Sequence, residues 1–356
     1  MEIVYDNIIF AIQQFGGISV VWEELLSRIT PAKCTKFVDI DVSKTYNHNR
    51  SKLNIPEKDI IRTIKIPHIS RYLPVRISKE EPFIFHSSYY RYCTNKNAIN
   101  ITTVHDFTYE LFRSGLRQKM HTWQKYAAIR HSAAVVCISE NTKRDLMRLM
   151  PDVQESKIHV IYNGVSDVYH KLLTQPEPEK LPFPAGSYVV FIGRRDEYKN
   201  FWLTANAIAH THWNLLVIGS QLTPREQKKM QAIMPASQYK CLSRVSDESL
   251  NLYYNHAAAL VYPSSYEGFG LPVLEAQRSC CPVIAYNASS IPEIIGETPL
   301  LMKELTEKEL ADKLSLLNNT ELINSVKSEG IKNSNKFSWE RMANDYSALY
   351  EDLSRA

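Results

Sequence analysis

The stretch from residue 258 to residue 276 contains the pattern that decides the fold of this chain. It reads Ala258-Ala259-Leu260-Val261-Tyr262-Pro263-Ser264-Ser265-Tyr266-Glu267-Gly268-Phe269-Gly270-Leu271-Pro272-Val273-Leu274-Glu275-Ala276. The apolar run at its start predicts a strand buried on both faces, as in a parallel sheet. Pro272 fits the first turn of a helix, where its missing N–H costs no hydrogen bond. The stretch therefore predicts a strand, a Gly-rich loop and a helix.

The same alternation recurs along the whole chain. Short apolar runs predict strands at Glu2–Tyr5, Phe83–His86, Ile101–His105, Ala134–Ile138, Ile158–Tyr162, Tyr188–Ile192, Asn214–Ile218, Ala258–Tyr262 and Pro282–Ala285. Helical patterns fall between the strands, as at Ile18–Ile29, Arg117–His131, Glu140–Met150 and Ser246–His256. Alternation of this kind is typical of an α/β protein built from parallel, doubly wound sheets.

The length of 356 residues suggests two such domains, at a prior of about 150 residues each. Ser166–Ser187, with prolines at 176, 178, 182 and 184, is the best candidate linker. Asn163-Gly164 is interpreted as a turn leading into it, and Ser139 as an N-cap. A helical apolar period runs from Trp339 to Leu353 after a second N-cap, Ser338.

Composition excludes several classes of protein. Hydrophobic residues make up 44% and charged residues 22%, the balance of a globular chain, and the net charge of +4 gives no reason to expect nucleic-acid binding. No apolar run approaches the ~18–20 residues that span a bilayer. The first residues lack the features of a signal peptide, so we expect a cytoplasmic protein. The Rossmann dinucleotide, P-loop, zinc-protease and nucleophile-elbow motifs are absent from the sequence.

The loop at Glu267–Leu271 is the strongest candidate site. Its glycines let backbone amides approach a ligand, and a helix N-terminus favours an anion. Glu267 on the loop and Glu275, expected on the first helical turn, suit sugar or ribose hydroxyls because a carboxylate accepts two hydrogen bonds. A solvated loop glutamate and a helix-start glutamate favoured by the dipole remain the alternative.

Three further segments end strands or begin helices. Gly193-Arg194 and Lys199 follow a predicted strand, where an arginine fork and a lysine point charge suit a diphosphate, although a solvated turn has the same pattern. Gly16-Gly17 precedes a helix and brings amides to a ligand or merely forms a tight turn. His105 ends a strand, where it either contacts a sugar hydroxyl or is structural.

Taken in order, these segments resemble a family 4 retaining glycosyltransferase of GT-B fold, of the bacterial surface-polysaccharide type. The resemblance covers nearly the whole chain, and its centre is the E-x7-E pair. The motifs that carry it are Gly16-Gly17-Ile18-Ser19, Phe85-His86-Ser87-Ser88, Thr103-Val104-His105-Asp106, Gly193-Arg194 with Lys199-Asn200, Glu267 with Glu275, Ile291-Pro292-Glu293 and Phe337-Ser338-Trp339-Glu340. The sequence departs from the family at Gln277-Arg278, usually Met-Ala, and at Cys280, usually Gly.

The resemblance implies two Rossmann-like domains facing across a cleft, with the C-terminal helix returning to the N-terminal domain. The acceptor-binding domain would comprise residues 1–165 and 338–356, and the nucleotide-sugar-binding domain residues 166–337. Glu275 would bind the ribose, Glu267 the transferred sugar, and Arg194 and Lys199 the diphosphate. The other implied donor contacts are Gly16, Gly17, His105, Gly193, Val245, Ser246, Gly268, Phe269, Gly270 and Leu271.

The implied reaction moves a hexose from a nucleotide-sugar to a glycan or lipid-linked saccharide, as in O-antigen, capsule or exopolysaccharide synthesis. The anomeric configuration would be retained, and neither a metal nor another cofactor is expected, since no D-x-D signature is present. GDP-mannose and UDP-hexoses are the preferred donors. A GT-B epimerase or phosphorylase fits the Glu267/Glu275 pair less well, and a non-catalytic nucleotide-sugar sensor or partner subunit remains an alternative.

A basic stretch from Arg113 to Met150 suggests one more partner. It contains two acids, Glu140 and Asp145, and Met120, Trp123 and Tyr126 interleave with its first part. Its basic residues are Arg113, Arg117, Lys119, Lys125, Arg130, Lys143, Arg144 and Arg148. A basic face with aromatic residues suits an anionic membrane, so we expect a reversible contact at the inner face of the cell membrane. A solvated helix face is the alternative.

Overall fold

The computed structural model describes residues 1–14, 16–29, 35–39, 47–62, 66–174 and 178–355. The chain divides into two compact units. Unit 1 comprises Met1–Gly164 and Ser338–Ala356, and unit 2 comprises Val165–Phe337. The first boundary lies one residue before the one expected from the sequence, and the second coincides with it.

Unit 1 is built on a parallel sheet. Its strands are β1 (Glu2–Asp6), β2 (Thr35–Val38), β3 (Ile60–Ile61), β4 (Phe83–Ser87), β5 (Ala98–Val104), β6 (Ala134–Cys137) and β7 (Ile158–Val160). Its helices before residue 164 are α1 (Ile8–Ile12), α2 (Gly17–Ile29), α3 (His48–Lys52), α4 (Pro67–Ser70), α5 (Thr108–Phe112), α6 (Leu116–Arg130) and α7 (Glu140–Leu149). Among the described residues the strand order is β3-β2-β1-β4-β5-β6-β7. The order reverses between β1 and β4, which makes that pair the topological switch point.

Unit 2 repeats this plan. Its strands are β8 (Tyr188–Ile192), β9 (Asn214–Ile218), β10 (Tyr239–Leu242), β11 (Ala259–Tyr262), β12 (Val283–Tyr286) and β13 (Leu301–Met302). Its helices are α8 (Phe201–Ala209), α9 (Pro224–Ile233), α10 (Asp247–His256), α11 (Leu271–Arg278), α12 (Ile291–Ile295), α13 (Glu307–Leu316) and α14 (Thr320–Ser334). The parallel strands run in the order β10-β9-β8-β11-β12-β13 within the described part of the chain, with the switch point between β8 and β11.

The predicted fold class, two Rossmann-like α/β domains, is confirmed. All nine predicted strands are strands, and those at Tyr188–Ile192 and Asn214–Ile218 have the predicted bounds. Four of the described strands are not among the nine, namely β2, which lies between β1 and β3, and the edge strands β3, β10 and β13. These strands have two to four residues and lie at or next to the rim of a sheet, so they lack the continuous apolar run of a central strand.

The C-terminal helix α15 (Trp339–Arg355) belongs to unit 1, as the resemblance implied. Ser338 caps it by accepting a hydrogen bond from the Arg341 amide at 3.1 Å. The buried side chains follow the predicted apolar period and are Trp339, Met342, Ala343, Tyr346, Leu349 and Tyr350. Two of them reach the sheet, because the Tyr350 hydroxyl lies 2.7 Å from Nδ1 of His86 and the Tyr346 hydroxyl lies 2.9 Å from Oγ1 of Thr103.

Two predictions about the junction between the units are wrong. Asn163-Gly164 forms no turn; instead a Cβ on Gly164 would lie 2.2 Å from the Trp339 amide nitrogen, so the glycine permits a close backbone approach. The described part of Ser166–Ser187 packs on unit 2 rather than acting as a linker. Tyr169 and Phe183 are buried, and the His170 and Leu172 amides donate to Asn251 and Asn255 of α10. Pro176 lies outside the described residues.

Within the part of the chain that the structure describes, none of the helices combines the length and the apolar character needed to cross a membrane.

Candidate active site

The two loops singled out in the sequence of unit 2 leave its sheet side by side. β8 ends at Ile192 and β11 ends at Tyr262, and the two strands are paired in parallel. Their carboxyl ends therefore lie at the same edge of the sheet and flank the switch point, where ligands bind in open α/β sheets.

Gly270 shapes the start of the helix that follows β11. It has a φ of +107°, and a Cβ at this position would lie 2.9 Å from Cδ1 of Ile291. Because of both features, any residue other than glycine would be strained at this position. Helix α11 begins at the next residue, Leu271, with Pro272 in its first turn, as predicted. The Gly-rich loop therefore delivers its backbone directly into a helix N-terminus.

Lys199 and Glu267 form the central contact of this site. Lys199 ends a short 3-10 turn, Glu197–Lys199, after β8, and its ammonium group donates to Oε1 of Glu267 on the loop after β11. Each side chain is 13% exposed, so the pair is largely buried but still reaches solvent. The Lys199 ammonium also lies 5.4 Å from the ring centroids of Tyr198 and Tyr262. Two residues predicted to bind different parts of a donor thus contact each other directly.

Asn200 holds the first loop against the second. It has a left-handed φ of +56°, and its amide group donates to the Pro263 carbonyl and to Oγ of Ser265, both at 2.8 Å. The Ser265 amide donates in turn to the Tyr198 carbonyl at 2.8 Å. These bonds set the position of Lys199 relative to Glu267.

Two serines that follow β12 hold the Glu267 loop from the other side. Oγ of Ser289 accepts from the Glu267 amide at 2.8 Å. The buried hydroxyl of Ser290 lies 2.9 Å from both the Glu267 and the Phe269 carbonyls. Asn200, Ser289 and Ser290 were not predicted as site residues, although Asn200 follows Lys199 and the serines precede the Ile291-Pro292-Glu293 motif. Their roles depend on a contact between segments distant in sequence.

Two neighbouring arginines after β8 have different environments. The Arg194 side chain is 79% exposed, with its Nε 3.3 Å from Oδ2 of Asp196. Arg195 is held by Glu226 at 2.8 Å and by the Ser220 carbonyl at 2.7 Å. The predicted diphosphate ligand, Arg194, is therefore the accessible one. Gly193, with a φ of +127°, turns the chain into this segment.

Glu275 lies on the second turn of α11, so its predicted place in the first turn is wrong. Burial, with the nearby Asp247 charge as a smaller cause, raises the pKa of Glu275 to about 8. The Tyr169 hydroxyl donates to Asp247 at 3.0 Å. The Tyr254 hydroxyl, whose pKa is raised by burial and then by the Glu275 charge, is buried and makes no hydrogen bond to the described residues. Helix dipole stabilisation does not explain Glu275, because the dipole effect is confined to the first turn.

The remaining predicted residues of unit 2 differ in their exposure. Val245 is half-buried and follows Arg244, which has a φ of +56°. Ser246 is exposed and caps α10 by accepting from the Ser249 amide at 3.3 Å. Gly268 is half-buried and Phe269 is buried within the loop.

Gly16, Gly17 and His105 belong to unit 1. Gly17 begins α2, and the Ser19 hydroxyl donates to the Gly16 carbonyl at 2.8 Å. His105 directly follows β5 and is buried, and this burial lowers its pKa to about 4. The imidazole is therefore neutral at pH 7.

The departures from the family pattern lie on α11 and just after it. Cys280 adopts a φ of +60°, a conformation that favours the glycine usually found there. Gln277 donates to the Ile295 carbonyl at 2.8 Å and accepts from Asn333 at 2.9 Å. Arg278 donates to the Val165 carbonyl at 2.9 Å and pairs with Asp167. These contacts anchor α11 on the side away from the Gly-rich loop.

Comparison with known proteins identifies similar chains. The family model for group 1 glycosyl transferases matches residues 175–337, and that for glycosyltransferase family 4 matches residues 44–168. An uncharacterized glycosyltransferase of Methanocaldococcus jannaschii is 27% identical over 73% of this chain and 70% of its own length. An O-antigen chain mannosyltransferase B of Escherichia coli is 37% identical over 28% of this chain. The matched region covers about a quarter of that protein. HepE of Anabaena, solved with UDP and glucose, matches all of both chains with a TM-score of 0.71 and 13% identity.

Proposed function

This chain belongs to glycosyltransferase family 4, within the group 1 glycosyltransferases, and we propose that it transfers a hexose from a nucleotide-sugar to a glycan or lipid-linked saccharide with retention of configuration. The observation that carries the proposal is the Lys199–Glu267 contact beside the N-terminus of α11, with Glu275 one turn further on. It joins a cation, two carboxylates and helix amides at one switch point. Each of these groups has a partner in a sugar diphosphate, because phosphate oxygens suit the cation and the helix amides, and sugar hydroxyls suit the carboxylates.

Lys199 and Glu267 can serve a donor without separating. An ammonium group has three N–H donors and a carboxylate has two acceptor oxygens, so the bond between them leaves capacity on both sides. We propose that Lys199 donates to the diphosphate while Glu267 accepts from hydroxyls of the transferred sugar. Arg194 adds a second cation, and Gly193 and the Gly268–Leu271 backbone line the phosphates and the sugar.

Glu275 is proposed to accept the ribose hydroxyls, and Val245 and Ser246 to lie near the base. A carboxylate accepts a vicinal diol through both oxygens. Gly16, Gly17 and His105 remain predicted donor contacts from unit 1. A neutral imidazole offers both a donor and an acceptor nitrogen to sugar hydroxyls.

In the proposed reaction the bond between C1 and the phosphate oxygen breaks, and the electron pair leaves with the nucleoside diphosphate. The acceptor hydroxyl oxygen bonds to C1 on the same face, and its proton passes to the departing phosphate oxygen. Charge develops on the diphosphate in this step, so Lys199 and Arg194 provide the main electrostatic stabilisation. We propose that these cations suffice without a metal.

The relatives suggest which donors to test first. The Escherichia coli relative is named as a mannosyltransferase, and the Anabaena protein was solved with UDP and glucose. We therefore propose GDP-mannose or a UDP-hexose as donor, and a bacterial surface polysaccharide as the product. A reversible contact with an anionic membrane is part of the same proposal, since it would bring the enzyme to a lipid-linked acceptor.

A thermal-shift panel tests the donor site. UDP, GDP, dTDP, ADP, CMP and their sugars are added without metal and then with magnesium; a ligand at 100 times its Kd raises the free energy of unfolding by about 2.7 kcal/mol. We expect one nucleotide to raise Tm without metal. Stabilisation followed by transfer to a saccharide, with the anomeric proton assigned by NMR, supports the proposal. Stabilisation without transfer or donor hydrolysis across the acceptor panel indicates a sensor.

A further inference from the structure

The exposed apolar side chains of this protein are concentrated in one part of unit 1. Of the twelve large apolar residues exposed within the described ranges, nine fall in residues 66–73 and 109–123. We define the α4–α6 face by the six that line α4, its continuation and the outer side of α6, namely Ile66, Ile69, Leu73, Leu116, Met120 and Trp123. Exposed apolar residues concentrated in this way mark interaction surfaces.

The residues of the α4–α6 face are strongly exposed. Leu116 is 73% exposed, Trp123 64% and Ile69 57%. Positions 116, 120 and 123 recur at the helical spacing i, i+4 and i+7, so they form one stripe along α6. The opposite side of α6 is buried and carries His121, Gln124, Lys125, Ala128 and Ile129. The helix is therefore apolar on its outer side where the described residues leave it uncovered.

The two stretches that form the face touch each other. The Gln124 side-chain amide, adjacent to Trp123, donates to the backbone carbonyl of Arg71, which directly follows α4. Tyr109 of α5 stacks on His121 of α6 with ring centroids 3.9 Å apart. The segment after α4 and the helices α5 and α6 are therefore neighbours within unit 1.

The exposed charge around this face is positive. Arg117 and Lys119 are exposed in the first turns of α6, and Arg113 is exposed just before it. The acid within α5 and α6 is Glu110, whose side chain is 4% exposed and 2.7 Å from the Lys125 ammonium. Because Glu110 is neutralised internally, it does not oppose an anionic partner.

The structure shows that most cations of the basic stretch suggested by the sequence are buried or paired. Lys125 is buried, and Arg130, Lys143 and Arg148 pair with Asp152, Glu155 and Asp145. Arg144 lies 3.5 Å from Asn141. The stretch from Arg113 to Met150 is therefore not one basic face, and the exposed cations on α6 beside the apolar stripe are Arg117 and Lys119.

We propose that the α4–α6 face docks reversibly on an anionic lipid surface. This deepens the membrane part of the proposed function by assigning it to six apolar residues and the cations beside them. Apolar side chains at the headgroup boundary and basic residues attracted by anionic lipids together give stable but reversible binding. The charge complementarity favours a lipid surface over a second copy of this chain, whose equivalent face would carry the same positive charge.

Co-sedimentation of the full chain with vesicles tests the proposal. Equimolar phosphatidylglycerol and phosphatidylcholine vesicles provide the anionic surface, and phosphatidylcholine vesicles the neutral one. We expect binding to the anionic vesicles at low salt, with at least tenfold weaker binding to the neutral vesicles. Two charge reversals, Arg117→Glu with Lys119→Glu, should weaken anionic binding at least about tenfold, since each cation near the surface contributes about fivefold.

The apolar part is tested by the triple variant Leu116→Gln, Met120→Gln, Trp123→Gln, which should lose anionic binding by a similar factor. The matched controls are Leu173→Gln, at a residue of unit 2 that is 94% exposed, and Arg225→Glu with Lys228→Glu on the exposed side of α9. We expect both controls to bind the vesicles as the parent does. Equal loss in the controls, or parental binding by the triple variant, overturns the proposal.

Tryptophan fluorescence locates the contact. Trp123 is exposed, Trp22, Trp213 and Trp339 are buried, and Trp202 is half-buried. Vesicles with brominated acyl chains should therefore quench the parent, and Trp123→Phe should abolish the quenching while the protein still binds. Equal quenching of both proteins contradicts the assignment.

Sedimentation velocity without vesicles tests whether a second copy of this chain binds the α4–α6 face instead. A dimer that the triple variant dissociates, together with absence of vesicle binding, would assign the face to a second copy and overturn the lipid proposal. Nucleotide thermal shift and donor hydrolysis in vesicle-free buffer are measured on the same variants. Because they do not require the membrane, failure of the docking face and failure of the donor site are distinguishable.

Discussion

Both units place charged side chains at the switch point of a parallel sheet, but they use them in opposite ways. In unit 1, Asp6 at the end of β1 is fully buried, with its carboxylate 2.9 Å from Arg91 Nη1 and 2.8 Å from the Ser87 hydroxyl. In unit 2 the Lys199–Glu267 pair keeps 13% of each side chain exposed, and Arg194 keeps 79%. The same topology therefore gives one internally satisfied switch point and one whose charges reach solvent. Accessible charge is what a ligand requires, so the difference favours unit 2 as the donor-binding unit.

The largest effect is expected from breaking the buried pair of unit 1. Arg91→Met leaves Asp6 buried without its counter-charge, so the free energy of unfolding should fall by about 3–5 kcal/mol in urea denaturation. Adding Asp6→Asn should recover part of this loss. If Arg91→Met leaves stability unchanged and instead weakens nucleotide binding, the contrast between the two switch points is wrong.

Two adjacent arginines sharpen the comparison inside unit 2. Arg194→Ala should lower kcat/KM by about 10²–10³-fold with an unchanged Tm, because an exposed cation is removed from the developing diphosphate charge. Arg195→Ala is the matched control and should lower Tm, since it removes the guanidinium group that donates to the Glu226 carboxylate and to the Ser220 carbonyl. The assignment of Arg194 fails if the two variants exchange these effects.

The raised pKa of Glu275 predicts a pH dependence of donor binding. Ribose hydroxyls donate to the anionic carboxylate, so a proton must leave and nucleotide affinity should rise about tenfold from pH 7 to pH 9, around the pKa of about 8. Because the folded protein favours the protonated form of Glu275, the raised pKa also contributes to the free energy of unfolding. This contribution is fully present below the ordinary pKa of 4.5 and is lost as the pH rises through about 8. Calorimetric titration measures the affinity.

Two controls accompany the titration. Asp247→Asn should move the midpoint to lower pH, because it removes the like charge beside Glu275. A 2′,3′-dideoxynucleotide cannot donate from the ribose, so its affinity should not follow this profile. If the affinity of the dideoxynucleotide shows the same pH dependence, Glu275 does not bind the ribose.

The smallest effect is expected at a tether of the Glu267 loop. Ser290→Ala removes the hydroxyl beside the Glu267 and Phe269 carbonyls, so kcat should fall about tenfold as Glu267 loses its position. Ser132→Ala is the control, since this buried hydroxyl of unit 1 also donates to a backbone carbonyl, at 2.9 Å. Steady-state kinetics and Tm together separate positioning from stability. If Ser290→Ala has the same kcat as the parent, Ser290 does not position Glu267 for the reaction.

Most strands of the two sheets could be predicted from the sequence, whereas several short strands at or near the rims could not. β8 and β9 are continuous apolar runs because helices cover both faces of their sheet, and their bounds follow from composition alone. β13 has two residues and is defined by its pairing with β12, a contact that no local pattern encodes. The turn predicted at Asn163-Gly164 was wrong for the same reason, since the partner of Gly164 is Trp339, far along the chain.

By itself the sequence determined the order and type of the main elements, and it placed Arg194 and Lys199 after one strand and Glu267 after another. These are local properties, because apolar period, proline and glycine act over a few residues. Only the tertiary structure decided which charges meet. It joined Lys199 to Glu267, placed Glu275 beside Asp247, and buried Lys125 while exposing Trp123. The physical reason is that charge pairing and burial depend on neighbours in space. In a parallel sheet the crossover connections bring those neighbours together from distant segments of the chain.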